Sequence, residues 1–171
     1  MVKIGINEFI RIKIVLVCLF VLFQNNALAQ QAIFIQPGEG VGVLKLDDSL
    51  ESINGIMGKI RADNLQKVRS AGGIEMWLLY QDMGLTLIYD YSTKKLKRII
   101  VTSGAMYVED TNIHVGSDTS DVIAYYDTTH RTTTTDSERK KIIWNYPEMG
   151  IGFWIGEQEQ TIYAIEVMRR E

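Results

Sequence analysis

The chain matches itself. Moved 66 residues along without gaps, Leu79–Leu87 falls on Asn145–Phe153, so that Tyr80, Met83 and Gly84 meet Tyr146, Met149 and Gly150. Further on, Leu96–Val101 falls on Ile162–Val167, and Ile99 and Val101 meet identical residues. The apolar positions coincide as well, and the stretch between the two blocks has the same length. A period of this size constrains the fold before any other feature does, because each copy must form one supersecondary unit and bury its apolar face against something.

Each block reads as strands joined by tight turns. Glu75–Tyr80, Leu85–Tyr91 and Lys97–Thr102 are three strands of the first copy. Lys141–Tyr146, Ile151–Ile155 and Thr161–Met168 are those of the second. The Asp82-Met83-Gly84 and Glu148-Met149-Gly150 turns use the ability of glycine to take positive φ. Upstream of each block lies a helix with a cap. Asp47-Asp48-Ser49 precedes Leu50, Ile53, Ile56, Met57 and Ile60 at helical spacing, and Gly116-Ser117-Asp118-Thr119 precedes Val122, Ile123, Tyr125 and Tyr126. Here the offset is 69, so the first copy holds three more residues between helix and hairpin. Gly58 ends the first helix, or Ala62–Val68 extends it after a kink. Val41–Leu46 and His114-Val115 supply a strand before each helix, and 129–137 is a loop. The expected fold is therefore α+β. It comprises two tandem β-α-β-β-β units at 30–104 and 105–171, each a helix on an antiparallel sheet, packed as one body without a Pro/Gly/Ser-rich linker.

Residues 1–29 differ from the rest. Lys3, Arg11 and Lys13 make a basic start, Ile14–Phe23 is an unbroken apolar run, and Ala27-Leu28-Ala29 is a small-x-small cleavage site. These are the parts of a secretory signal peptide in order. The run is half of the roughly 20 residues that a membrane span needs. Cys18 is the only cysteine and follows Val17, not a small residue, which argues against a lipoprotein signal. Cleavage after Ala29 leaves a cysteine-free chain in the periplasm or outside the cell. Three basic residues and one acid leave with the leader, so the remainder is more acidic than the net −3 of the whole chain. That balance disfavours nucleic acid or an anionic membrane surface as partner.

Gln36-Pro37-Gly38-Glu39-Gly40-Val41-Gly42, then Leu46-Asp47-Asp48-Ser49 and a helix ending Met57-Gly58, resembles the opening of a group of exported bacterial domains. The helix followed by an antiparallel sheet, used twice, is similar to the tandem-repeat β-lactamase inhibitory proteins and the small BamE-like outer-membrane assembly lipoproteins. That resemblance implies a non-enzymatic protein whose partner is another protein. Asp47 stands where the group usually has glycine, whereas Gly116 fits.

The sequence carries no cofactor, metal or catalytic motif. Gly38-x-Gly-x-Gly42 leads into a strand and not a helix N-terminus, unlike a phosphate loop. His114 and His130 are too few for zinc. Ser117 or Ser120 with His114 and Asp118 can be written as a triad, and Asp82 with Glu148 or Glu75 with Asp90 as paired carboxylates, but such sets arise from composition alone. Aromatic residues are the better candidates. Alternation sends one of the adjacent Phe153 and Trp154 away from the helix side. Trp77, Tyr89, Trp144, Trp154 and Tyr163 are the expected partner-binding residues on a surface formed by both sheets. The alternative is a small-ligand or hydrolase site between the two repeats.

Overall fold

The computed structural model describes residues 33–171 apart from 60, 71–72, 137–140 and 157. The expected leader and its expected cleavage site lie outside the described residues. Among these, no helix is long and apolar enough to cross a membrane. Residues 32–171 form one compact unit.

Among the described residues the fold is α+β, with two helices and two sheets. The small sheet holds β1 (Ile33–Gln36), β2 (Gly40–Val41), β3 (Leu44–Lys45) and β8 (Met106–Val108), in the order β3-β2-β1-β8. The large sheet has eight strands: β4 (Leu65–Ser70), β5 (Gly73–Tyr80), β6 (Leu85–Asp90), β7 (Leu96–Val101), β9 (Thr132–Asp136), β10 (Lys141–Tyr146), β11 (Ile151–Gly156) and β12 (Ile162–Met168). Their order is β4-β5-β6-β7-β12-β11-β10-β9, which reads outward from a central β7–β12 pair in the same way in both directions. All its pairings are antiparallel.

The 66-residue offset recurs in the register. Leu85 pairs with Val101 and Leu87 with Ile99, while Ile151 pairs with Val167 and Phe153 with Ile165. A β-bulge falls between Ile88 and Tyr89, and another between Trp154 and Ile155. Gly84 and Gly150 both take left-handed conformations after a 3-10 turn, at φ 63° and 71°. The 69-residue offset governs the helices. α1 is Leu50–Met57 and α2 is Thr119–Tyr126. Asp47 N donates to Leu96 O and Gly116 N to Ile162 O, and both residues have positive φ. This explains the glycine at 116. An aspartate in the left-handed region at 47 is tolerated better than most residues would be.

Ser49 Oγ accepts from Ser52 N, and the Asp118 carboxylate from Ser120 N. Each cap satisfies a helix-end amide that would otherwise lack a partner. Ser49→Ala is expected to lower unfolding free energy by about 1 kcal/mol in urea melts, and Asp118→Ala to lower the urea midpoint as well, both with unchanged m-values.

Two expectations need correction. Ala62–Val68 does not prolong α1, because Gly58 at φ 83° ends it and the chain enters a 3-10 turn, then β4. The segment 129–137 is not all loop, since Thr132–Asp136 forms β9. The large sheet thus takes four strands after each helix, where three were expected, and the strand ahead of each helix belongs to other pairings. β4 and β9 were hidden because both are edge strands made mostly of polar residues, without apolar alternation.

One core fills the side of the large sheet that faces the helices and small sheet. It joins Ile53 of α1 and Val122 and Tyr126 of α2 to Leu78, Leu87, Tyr89, Phe153 and Ile165 of the strands, and to Ile35, Val41 and Val108 of the small sheet. The Tyr126, Tyr146 and Phe153 rings meet at 5.1–6.0 Å between centroids. The Tyr146 hydroxyl donates to Asp127 O at the end of α2.

Candidate binding face

The opposite side of the large sheet carries a second, smaller cluster: Ile88, Ile100 and Ala164, with Trp77 and Trp154 packed against them. All five come from the sheet itself, and no helix or small-sheet residue joins them. Register explains the selection. Trp77 lies opposite Ile88 on β6, and Trp154 opposite Ala164 on β12.

Three charged side chains sit in the middle of this face. Arg98 Nη2 donates to both carboxylate oxygens of Glu75, at 3.1 and 2.9 Å. Its Nη1 donates to Glu166 Oε1 at 2.7 Å. Arg98 thereby ties β5 to β12 across the join between the two halves of the sheet. Trp77 Nε1 donates to Glu75 Oε2 at 3.1 Å, and Trp154 Nε1 to Glu166 Oε2 at 3.0 Å. Each glutamate is thus shared between an indole and the guanidinium. Glu75 and Glu166 are only 4% and 5% exposed, so this bonding is what makes two buried carboxylates tolerable. Lys97 Nζ adds a contact at 3.6 Å to Glu75, and Lys141 Nζ lies 4.0 Å from the centre of the Trp154 ring. Burial pulls the Glu75 pKa upward. The hydrogen bond from Trp77, the charges of Arg98 and Lys97 and the bond from Arg98 outweigh it and hold the carboxyl below its ordinary value.

Beside the cluster is a groove of about 400 Å³, lined by Arg98, Thr132, Ile143, Asn145, Glu166 and Met168 among others. Gly152 lies in the same neighbourhood, where a Cβ would come 2.7 Å from Asn145 Oδ1.

The predicted aromatic residues divide between the two sides. Trp77 and Trp154 lie on the uncovered face, and Tyr163 is exposed with its ring 6.2 Å from that of Trp154. Phe153 points into the core, as alternation requires for its neighbour. Tyr89 does not belong to the surface: it is fully buried, opposite Met76 and Leu96. Trp144 also packs against the main core, and the Arg131 guanidinium covers its ring at 4.1 Å. Sequence reasoning missed Arg98 and Glu166; Glu75 does lie opposite Asp90 in the β5–β6 register, but its carboxylate bonds to Trp77 and Arg98. The available signal was charge inside three apolar strands, alone at Glu75 in β5 and Glu166 in β12, and beside Lys97 at Arg98 in β7.

The other sets dissolve into local structure. Ser117 Oγ accepts from the backbone of His114 and lies 3.0 Å from its Nδ1, but Asp118 is occupied with the α2 cap. The same turn in the first half uses Asp48, which accepts from Lys45 N, so this is a turn closure and not a triad. Asp90 accepts from the backbone of Ser92 and Thr93 in the β6–β7 turn. Glu148 contacts His130 at 3.3 Å on the surface. Among the described residues no group of three His, Cys, Asp or Glu side chains is placed to hold a metal ion.

No family model matches the chain, and no curated protein matches it. Solved structures do. YfeY of Escherichia coli, described as an uncharacterized protein, aligns over 81% of this chain and 100% of its own, with a TM-score of 0.52 at 12% identity. An extracellular protein containing an SCP domain, from Bacillus anthracis str. Ames, aligns over 72% of this chain with a TM-score of 0.48 at 13% identity. A cysteine-rich secretory protein of Staphylococcus aureus subsp. aureus Mu50 aligns over 81% with a TM-score of 0.47 at 11% identity. The chain spans 44% and 49% of the length of these last two. At such identities the likeness to YfeY concerns the fold alone.

Proposed function

We propose that the chain is an exported, non-enzymatic protein that binds another protein through the uncovered face of its large sheet. The observation that carries this reading is the pair of half-buried tryptophans, Trp77 and Trp154, on a face that no other described element covers. Their indole nitrogens are already bonded, so what each offers a partner is apolar surface beside a fixed set of charges. Tryptophan and arginine next to an apolar centre is the composition of binding hot spots. We also take the two halves, each a helix with four strands, to descend from one duplicated unit. The shared offsets in turn, bulge and register support this. The inhibitor-like binding mode implied by the sequence resemblance belongs to the same proposal, as does a location in the periplasm or outside the cell.

Photo-crosslinking tests it. A benzophenone amino acid at position 77 or 154 is expected to capture one and the same protein in the native envelope. The same label at Tyr125, exposed on α2, should not. Equal capture from all three positions, or none from any, would overturn the assignment of the face. A hydrolase activity lost in His114→Ala would overturn the non-enzymatic reading.

The groove beside Arg98 favours a second reading. It draws Arg98 from the first half and Thr132, Ile143 and Asn145 from the second, as a small-ligand site between the halves would. Asn145→Leu would then abolish binding of a small molecule while leaving protein capture intact.

A further inference from the structure

The two edges of the large sheet are unlike. β4 ends it on one side with Leu65-Gln66-Lys67-Val68-Arg69-Ser70. β9 ends it on the other with Thr132-Thr133-Thr134-Thr135-Asp136. An edge strand presents unpaired backbone donors and acceptors, and natural edges are defended by charge, proline or irregularity. β4 has that defence in Lys67 and Arg69, both exposed, the first held 4.2 Å above the Tyr91 ring. β9 has none within its four threonines, all of them exposed. Threonine strongly favours strands, and β9 pairs regularly with β10 along its whole length.

We infer that β9 is the contact through which two copies of this chain join their large sheets, edge to edge and antiparallel about a two-fold axis. A two-fold axis normal to the sheet places one residue of the strand opposite itself. With Thr133 on the axis, Thr132 faces the partner's Thr134. With Thr134 there, Thr133 faces the partner's Thr135. Either way threonine meets threonine, a favourable cross-strand pair, and no like charges meet within 132–135. The same operation on β4 opposes basic to basic: Lys67 to itself, or Lys67 to Arg69. A second copy thus fits β9 and is repelled at β4. Pairing β4 to β9 would be head-to-tail and would propagate into a filament and not close. A contact five residues long makes a reversible dimer, and the helices of both copies stay on one side of the joined sheet.

The chain is expressed with its own leader, and the exported form is followed by sedimentation equilibrium over rising concentration. The expected result is a monomer–dimer equilibrium. Thr134→Lys should weaken it by at least about tenfold, because lysines then face each other near the axis. Mixing Thr134→Lys with Thr134→Glu should restore a mixed dimer, which a merely unfolded variant cannot do. In a Cys18→Ala background the chain has no cysteine. Thr133→Cys or Thr134→Cys should then give a disulfide-linked dimer on mild oxidation, since facing residues of an antiparallel pair lie within disulfide reach. Lys67→Cys should not. A chain that stays monomeric at every concentration, a dimer indifferent to Thr134→Lys, crosslinking through position 67, or open-ended filaments would each overturn the proposal.

Discussion

Replacing Arg98 with alanine is expected to cost about 3 kcal/mol of unfolding free energy near neutral pH. The reason is what remains behind. Glu75 and Glu166 are almost entirely buried, and both accept hydrogen bonds from the one guanidinium. Removing one partner of a buried ionic group leaves uncompensated charge and costs roughly 3–5 kcal/mol. The low end applies because the Arg98 side chain is itself 27% exposed, so water can partly replace it. Arg98→Lys keeps a charge but loses the planar fork, and should fall between the two.

The effect has a pH signature. In the native protein the Glu75 carboxyl is held below its ordinary value, 4.5. A carboxylate with a depressed pKa stabilises the fold above that ordinary value and loses its contribution as pH falls through the folded one. In Arg98→Ala the charge and the hydrogen bonds of Arg98 no longer oppose burial, which pushes the Glu75 carboxyl upward. That penalty is fully present at neutral pH and fades as Glu75 protonates on acidification. The gap between native and variant should therefore narrow from about pH 7 to about pH 4, read from urea midpoints at the two values. A gap of constant size would mean that Arg98 acts by packing and not by charge.

Gly150→Ala should have a comparable effect from a different source. Gly150 sits at φ 71°, and a Cβ there would lie 2.4 Å from Gly38 Cα and 2.5 Å from Met168 O. These are backbone atoms and cannot swing aside. Left-handed strain of about 1–3 kcal/mol adds to about 1–3 kcal/mol of overpacking, giving a total on the order of 3 kcal/mol. Gly38 N also donates to Gly150 O, so the variant should loosen the Pro37–Gly40 turn as well as the hairpin. Hydrogen exchange should show faster opening at both places together. Faster exchange in the hairpin alone would sever that link.

Much of this fold was legible because its signals were local. The hairpins announced themselves by alternation and by Gly84 and Gly150, and the helices by Ser49 and Asp118. The Arg98 cluster was not legible, since its partners lie 23 and 68 residues away on strands whose register is a tertiary outcome. The side on which Tyr89 falls depends on the same register, through its pairing with Met76. β4 and β9 escaped because edge strands need no apolar stripe. For β9 that same plainness is what leaves its edge open to another strand.

The turn at Pro37 has a bearing on how the molecule is held. Arg170 Nη2 donates to Pro37 O at 3.0 Å, and Glu171 N to Pro147 O. The chain's last residues therefore lie between the turn that follows β1 and the turn between β10 and β11, and they strap the small sheet to the large one. Removing Arg170 and Glu171 should loosen both turns together, read as faster hydrogen exchange at each.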